Sequence, residues 1–390
     1  MDNNSTNLYG RYLTSLIGSS INNTAPEKPF EGINWESLYK LADFHNVSVL
    51  IFPVVSAMNL PEEVMKKFYY DNKLLIAREA RQEIESQYIF GLLNQNDIKF
   101  IKLKGIVMKN LYPMPYMRTS SDIDIFMSSE DRLRARAIMA KAGYTLDEDI
   151  DYNDAYSKDN FYIYELHSSI VTSKSPYVSL FSDPFSTAHK DADGTNYVLN
   201  PTYFYIHMIV HLLNHFLSGG CSIRQLCDLY IYEKFHKDFN AEKVREIIKD
   251  YNLTDFMDNV RELTFALFEG KELNSEQNQI ADFIFKSGEY GNGTLKRISW
   301  LADDKASDWT FGKKCKYFLS LWFPNVDTMK KRYPFVEKAP FLLPFYWVRR
   351  ILYTIFFNRS AIKEQRNEIK TLNSKELKEA QRIRKLSGLK

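Results

Sequence analysis

The sequence predicts an α+β fold: a small mixed β-sheet set between an N-terminal and a C-terminal helical region. Three observations carry this. Residues from about Trp35 to Asp97, and again beyond Pro201, place apolar side chains at helical spacing. Between Ile98 and Asn200 the pattern breaks into short β-forming and helical pieces. The chain has 390 residues, enough for two or three domains, with 45% hydrophobic and 26% charged residues, ordinary values for a globular protein. The expected divisions are 1–97, 98–200 and 201–390.

The first region starts with Trp35-Glu-Ser-Leu38-Tyr39-Lys-Leu41-Ala42 as a helical face. Pro61-Glu62-Glu63 opens a second helix, with proline in the first turn and acids near the positive dipole end. That helix runs to about Asn94, and Asn94–Asp97 forms a loop. Lys99–Leu103 then predicts a strand, Gly105–Tyr112 a helix and Ile123–Met127 a second strand. Ser128-Ser129-Glu130-Asp131 caps a helix that Gly143 ends. Tyr144–Leu146 is a further strand. Asp147–Asp159 is acidic and turn-rich, and predicts a loop. Phe161–His167 is rich in β-formers. Helices are expected at Pro201–Phe216, Ile223–Phe235, Ala241–Tyr251, Thr254–Phe268 and Ser275–Phe285, a loop at Asp303–Asp308, and helical spacing at Ile369, Leu372, Leu377 and Ala380 in a basic tail.

Net charge is +2, so nothing global calls for nucleic acid, and no basic, aromatic groove supports it as an acceptor. The three cysteines, Cys221, Cys227 and Cys315, fit a reducing compartment and no disulfide framework. The first residues lack a basic segment followed by an apolar core, and no apolar run reaches about 18 residues. A cytoplasmic location is the expectation.

The chemistry concentrates between Lys102 and Asp124, then in Glu165 and His167. Alternate residues of a strand share a face, so Asp122 and Asp124 project side by side, roughly 7 Å apart. Such a pair repels unless a cation sits between the carboxylates, and Mg²⁺ with substrate phosphates suits it. Glu165, on a later strand, is the best third carboxylate, and His167 shares its face. Gly105 lets the backbone approach phosphate oxygens, and the helix after it offers N–H groups. Lys104 and Arg118 neutralise charge, while Ser120 or Ser121 donates a hydroxyl.

The order Leu-Lys-Gly, Leu-Tyr-Pro, Arg118, Asp-Ile-Asp-Ile-Phe-Met, Gly143-Tyr144 and Glu-Leu-His resembles the uncharacterised nucleotidyltransferase family of the polymerase-beta-like superfamily. Similarity extends upstream to Leu38–Val47 and downstream to His207, His211, His215 and Leu226–Leu229. It covers roughly Trp35 to Phe239, and more loosely runs to Phe357. The resemblance implies a nucleotidyltransferase core that needs Mg²⁺ or Mn²⁺. Such an enzyme moves an NMP group from an NTP, ATP or another, to an unknown small-molecule, polymer or protein acceptor and releases pyrophosphate. Asp122, Asp124 and Glu165 would hold metal, with Lys104, Gly105 and Arg118 on the nucleotide. Where the superfamily has Gly-Ser or Gly-Gly, this chain has Gly105-Ile106, one serine ligand fewer. The alternative is a non-catalytic nucleotide-binding or interaction protein that keeps the fold, attached to an envelope or polysaccharide pathway.

His207, His211 and His215 recur every four residues along one helix side. Three readings stay open: a metal pair, a polar wall facing the nucleotide cleft, or ordinary packing. Arg224 and Asp228 have the spacing of a structural ion pair. Pro340–Phe357 is the most apolar stretch, with Arg349 and Arg350 inside it. It suits a helix packed on the bundle, a docked partner or an anionic membrane surface.

Overall fold

In the computed structural model, helix α1 (Asn3–Asn22) places Tyr9, Tyr12, Leu13, Leu16, Ile17 and Ile21 inward at helical spacing. The structure describes residues 3–288 apart from 151, 160, 161, 173, 174, 192, 193 and 195, then 319, 322–326, 329, 333, 335–357 and 381–389. The loop expected at Asp303–Asp308, Cys315, and the tail positions Ile369, Leu372, Leu377 and Ala380 lie outside the described residues.

The chain divides into two compact units, Met1–Asn292 with Ile383–Lys390, and Gly293–Arg382. In the first, α1 is followed by α2 (Trp35–Phe44), α3 (Ser48–Val55) and the long α4 (Glu62–Gln95). Asn34 caps α2, its side chain accepting from the Ser37 N–H. The C-terminal part of α4 buries Ile89, Phe90 and Leu93 against the sheet.

Seven strands follow: β1 (Phe100–Lys102), β2 (Asp122–Met127), β3 (Thr145–Ile150), β4 (Asn153–Lys158), β5 (Tyr162–His167), β6 (Ala188–Lys190) and β7 (Tyr197–Leu199). They form one mixed sheet in the order β3-β4-β5-β2-β1-β7-β6. β2 is central, antiparallel to β1 and parallel to β5. One-turn α5 (Gly105–Met108) and α6 (Ser129–Lys141) connect the early strands, and Ser128 caps α6 by accepting from the Asp131 N–H.

The loop expected over Asp147–Asp159 is instead most of the β3–β4 hairpin. The reason is non-local. Asp154 is fully buried on β4, and Arg132 and Arg136 of α6 both donate to it. Its charge is compensated from another element, so acidity along the chain did not mean solvent.

Strand alternation divides β2. Ile123, Ile125 and Met127 join Tyr164 and Leu166 of β5, α4 and α6 in one core. Phe126 turns to the other face and joins the larger core built on α7 (Pro201–Leu217), α8 (Ile223–Phe235), α9 (Ala241–Ile248), α10 (Thr254–Phe268) and α11 (Ser275–Ser287). Asp122 and Asp124 belong to this second face by the same alternation. These helices match the sequence expectation closely. The exceptions are the end of the Ala241 segment, a 3₁₀ turn at Lys249–Tyr251, and α11, which runs on to Ser287.

In the second unit α12 (Phe335–Lys338) leads through a 3₁₀ turn to α13 (Leu343–Phe357). The Trp347 indole N–H donates to the Pro324 carbonyl at 2.9 Å. Phe341 and Phe345 are 79% and 66% exposed. Among the described residues, no helix is long and apolar enough to cross a membrane.

Candidate active site

Two parallel neighbours set the site. In the β2–β5 register Asp124 faces Glu165, and Asp122 stands two residues earlier on the same side of β2. His167 lies two residues beyond Glu165, again on that side. Its Nε2 is 2.9 Å from Asp124 Oδ1 and 3.3 Å from Glu165 Oε2. Lys104 comes from the turn after β1 and places Nζ 2.8 Å from Asp124 Oδ1. Its backbone has φ +46° and ψ −123°, a conformation that L side chains rarely adopt.

Electrostatics follow from this crowding. Burial drives the Asp124 carboxyl upward, but the Lys104 ammonium and the His167 imidazole outweigh it and hold Asp124 well below the carboxylate range. Asp122 shifts the other way: burial raises it, and the negative charge of Asp124 adds to that. Burial lowers Lys104 and His167, yet the carboxylates beside them prevail and both bind protons more tightly than usual.

The cleft over Lys104, Asp122 and Asp124 holds ≈ 130 Å³; Glu165 and the expected cleft residue His167 stand beside it and are not in its lining. Its floor is Lys104, Gly105, Ser120, Ser121, Asp122 and Asp124, and its wall is His211 and His215 of α7 with Arg224 and Gln225 of α8. Gly105 is closely approached: a Cβ there would stand 3.0 Å from both Arg118 Nη1 and Ser120 Oγ, a tight contact to which those side chains would have to yield. Ser120 Oγ lies 2.9 Å from the Asp122 carbonyl oxygen and 3.2 Å from its Oδ1.

Two expectations change. Arg118 borders the cleft, but its guanidinium is committed to protein acceptors. Nε and Nη2 each donate to Asp228 at 2.8 Å, and Nη1 donates to the Thr119 carbonyl. Asp228 also accepts from the Tyr112 hydroxyl at 2.7 Å, so it ties Arg118 and Tyr112 together. The helix after Gly105 is one α turn followed by a 3₁₀ turn at Lys109–Leu111, too short to sum a useful dipole.

The histidine ladder divides. His211 and His215 line the cleft with ring centroids 4.5 Å apart. His207 is buried beneath them, 6.1 Å from the Phe181 ring centroid, and its Nδ1 has no hydrogen-bond partner. Burial and the nearby Lys104 charge lower His207 to about 3 and hold His211 well below its ordinary value, so both are neutral at pH 7. Among the described residues, the one group able to hold a metal is Asp124, Glu165 and His167; the ladder is not part of it. Arg224, whose spacing from Asp228 suits an ion pair or a group orienting a histidine, lies on the cleft wall and donates to the Thr119 carbonyl.

A second cavity of ≈ 410 Å³ lies beside α4 and β1. Its charged walls pair internally, Lys102 with Asp191 and Lys109 with Glu79 and Glu83.

The site thus presents carboxylates on two adjacent parallel strands of a mixed sheet with helices on both faces. The chain belongs to the family described as uncharacterised nucleotidyltransferase, whose model matches residues 31–269. No curated protein matches its sequence. Among solved structures, the antibiotic-resistance factor ANT(2'')-Ia is similar at 12% identity and a TM-score of 0.35, over 44% of this chain and 92% of that one. A likeness of that size carries no argument about this chain.

Proposed function

We propose that this chain is a divalent-cation-dependent nucleotidyltransferase that moves an NMP group from an NTP to an acceptor hydroxyl, phosphate or protein group. The observation that supports it best is the β2–β5 register, which sets Asp124 beside Glu165 with Asp122 on the same face. The donor set fits a divalent cation, since Asp124 and Glu165 converge with His167, Asp122 stands on the same face of β2, and the chain's own ammonium, Lys104, is drawn to Asp124. Such a cation would bridge the triphosphate and polarise the α-phosphate.

Asp122, Asp124 and Glu165 hold the cation. The Lys104 ammonium, released from Asp124, meets the triphosphate. Ser120 and Ser121 offer hydroxyls to phosphate oxygens. Arg118, held by Asp228, positions the 118–121 segment and does not touch phosphate. The acceptor oxygen bonds to the α-phosphorus, the bond to pyrophosphate breaks, and the acceptor proton passes to a carboxylate of the cluster. The neutral His211 ring, His215 and Arg224 form the acceptor-side wall. The cleft is smaller than the roughly 300–1,000 Å³ of common ligand pockets, so it suits the phosphate tail and leaves base and ribose outside.

A second reading has its own support: Lys104 already neutralises Asp124, and Arg118 is committed to Asp228. A chain so arranged binds NTP and cation without turnover.

The test is thermal stabilisation by ATP, GTP, CTP and UTP, each with and without Mg²⁺ or Mn²⁺, beside Asp122→Asn/Asp124→Asn, followed by pyrophosphate release. Cation-dependent stabilisation by an NTP, lost in the double variant, is expected. Stabilisation without pyrophosphate release across acceptor classes selects the second reading. No stabilisation by any NTP removes both.

A further inference from the structure

We propose that Asp124, Glu165 and His167 form a mixed oxygen–nitrogen seat that takes a borderline divalent cation, Mn²⁺, Co²⁺ or Zn²⁺, ahead of Mg²⁺. This rests on the nucleotidyltransferase reading for the role of the site. It adds the ion the site prefers and a ligand, His167, outside the carboxylates.

Geometry comes first. The three side chains share one face because β2 and β5 run parallel and in register. Their donor atoms all lie within 4.8 Å of one another. His167 Nε2 stands 2.9 Å from Asp124 Oδ1 and 3.3 Å from Glu165 Oε2. An ion with bonds of roughly 2.1 Å holds neighbouring ligands about 3.0 Å apart at octahedral angles and about 3.4 Å apart at tetrahedral ones. The two contacts of Nε2 therefore have the edge lengths of a coordination polyhedron. A bound ion would take the place of the proton that Nε2 shares with the carboxylates.

The place also attracts positive charge by construction. Lys104 Nζ reaches Asp124 Oδ1 from a strained turn, so a cation already occupies one corner of the group.

Ligand chemistry then chooses the ion. Mg²⁺ prefers an octahedron of oxygens and keeps several waters. Imidazole nitrogen favours the later first-row ions, and two carboxylates still accommodate Mn²⁺. Asp122, which lies outside this group and carries only oxygens, has no such preference. The two ends of the acidic site thus differ in kind.

The experiment is Mn²⁺ titration of the full chain by electron paramagnetic resonance, with Mg²⁺ as competitor and a pulsed measurement of nitrogen coupling on the bound ion. Mn²⁺ should bind at least about tenfold tighter than Mg²⁺, and the bound ion should carry a ¹⁴N modulation. His167→Gln should abolish the modulation and narrow the preference, whereas His211→Gln should leave both intact. Bound Mn²⁺ without ¹⁴N coupling in the unaltered chain, coupling that survives His167→Gln, or no preference over Mg²⁺ overturns the proposal. Each of those leaves the nucleotidyltransferase reading standing. Failure to bind either ion, with or without NTP, removes both. The measurement on the unaltered chain decides the point even if the variant fails to fold.

Discussion

Lys104 concentrates the tension of the site in one residue. Its backbone is held at positive φ, and its ammonium sits on the carboxylate that a divalent ion would use. Ion and ammonium therefore compete. Lys104→Met should raise affinity for a divalent cation in the absence of nucleotide by roughly fivefold, about 1 kcal/mol, measured by calorimetric titration. Unchanged or weaker binding would mean that Lys104 does not oppose the ion. The residues of this cluster were legible in the sequence because their logic is local. Asp-x-Asp and Glu-x-His each put two side chains on one face of a strand. Arg118 was not legible: its partner Asp228 is 110 positions away, so a buried structural pair looked like a free phosphate ligand.

At the scale of elements, His45 joins three helices. It follows α2; its Nε2 donates to the Phe285 carbonyl of α11 at 3.1 Å, and its Nδ1 accepts from the Ile223 N–H of α8 at 3.3 Å. The Nδ1 contact needs the neutral ring, and burial, outweighing the Phe285 hydrogen bond, lowers its pKa from 6.5 to about 4. Between those values the unfolded chain binds a proton that the folded chain does not. Unfolding free energy should therefore fall as pH drops from 6.5 toward 4, by about 3 kcal/mol from this residue. Urea unfolding at pH 7, 6 and 5 checks it: His45→Gln should show a shallower slope than the unaltered chain. Some slope remains, since His207 contributes with the same sign. Parallel slopes would refute the assignment.

Helix α1 makes a second such point. Its Gly18 lies so close to α10 that a Cβ would fall 1.9 Å from the Phe268 carbonyl oxygen. Backbone cannot yield as a side chain does, so Gly18→Ala should destabilise the chain by more than about 2 kcal/mol. A change under about 0.5 kcal/mol in urea unfolding would show that the two helices separate freely. The inward stripe of α1 has helical spacing from Tyr9 to Ile21, yet among asparagines and serines it was read only for the absence of a leader. Strands β6 and β7 have three residues each, too few for a period to declare itself.

For the molecule as a whole, the central strand is the organising feature. β2 has one apolar face on α4 and α6, while its other face carries the acids and Phe126. The first compact unit joins stretches from both ends of the sequence, Met1–Asn292 with Ile383–Lys390. Apolar periodicity made the helices, the sheet region and the order of the motifs readable. It could not reveal which helices meet, because that depends on side-chain shape and on glycines such as Gly18.

One consequence of the Lys104–Asp124 contact concerns biogenesis rather than reaction. A cluster of buried acids would ordinarily make a newly made chain dependent on metal supply for its final collapse. Here an internal ammonium and an imidazole quench that repulsion, so the polypeptide would fold in metal-poor surroundings without waiting for a cation. Chelation with EDTA should leave the melting temperature within about 1 °C, by differential scanning calorimetry, while Lys104→Met should melt several degrees lower in EDTA than with Mn²⁺ present. Under the proposed cation-dependent function, loading would then be a late, reversible event, open to control by the cell's ion pools long after the fold is complete.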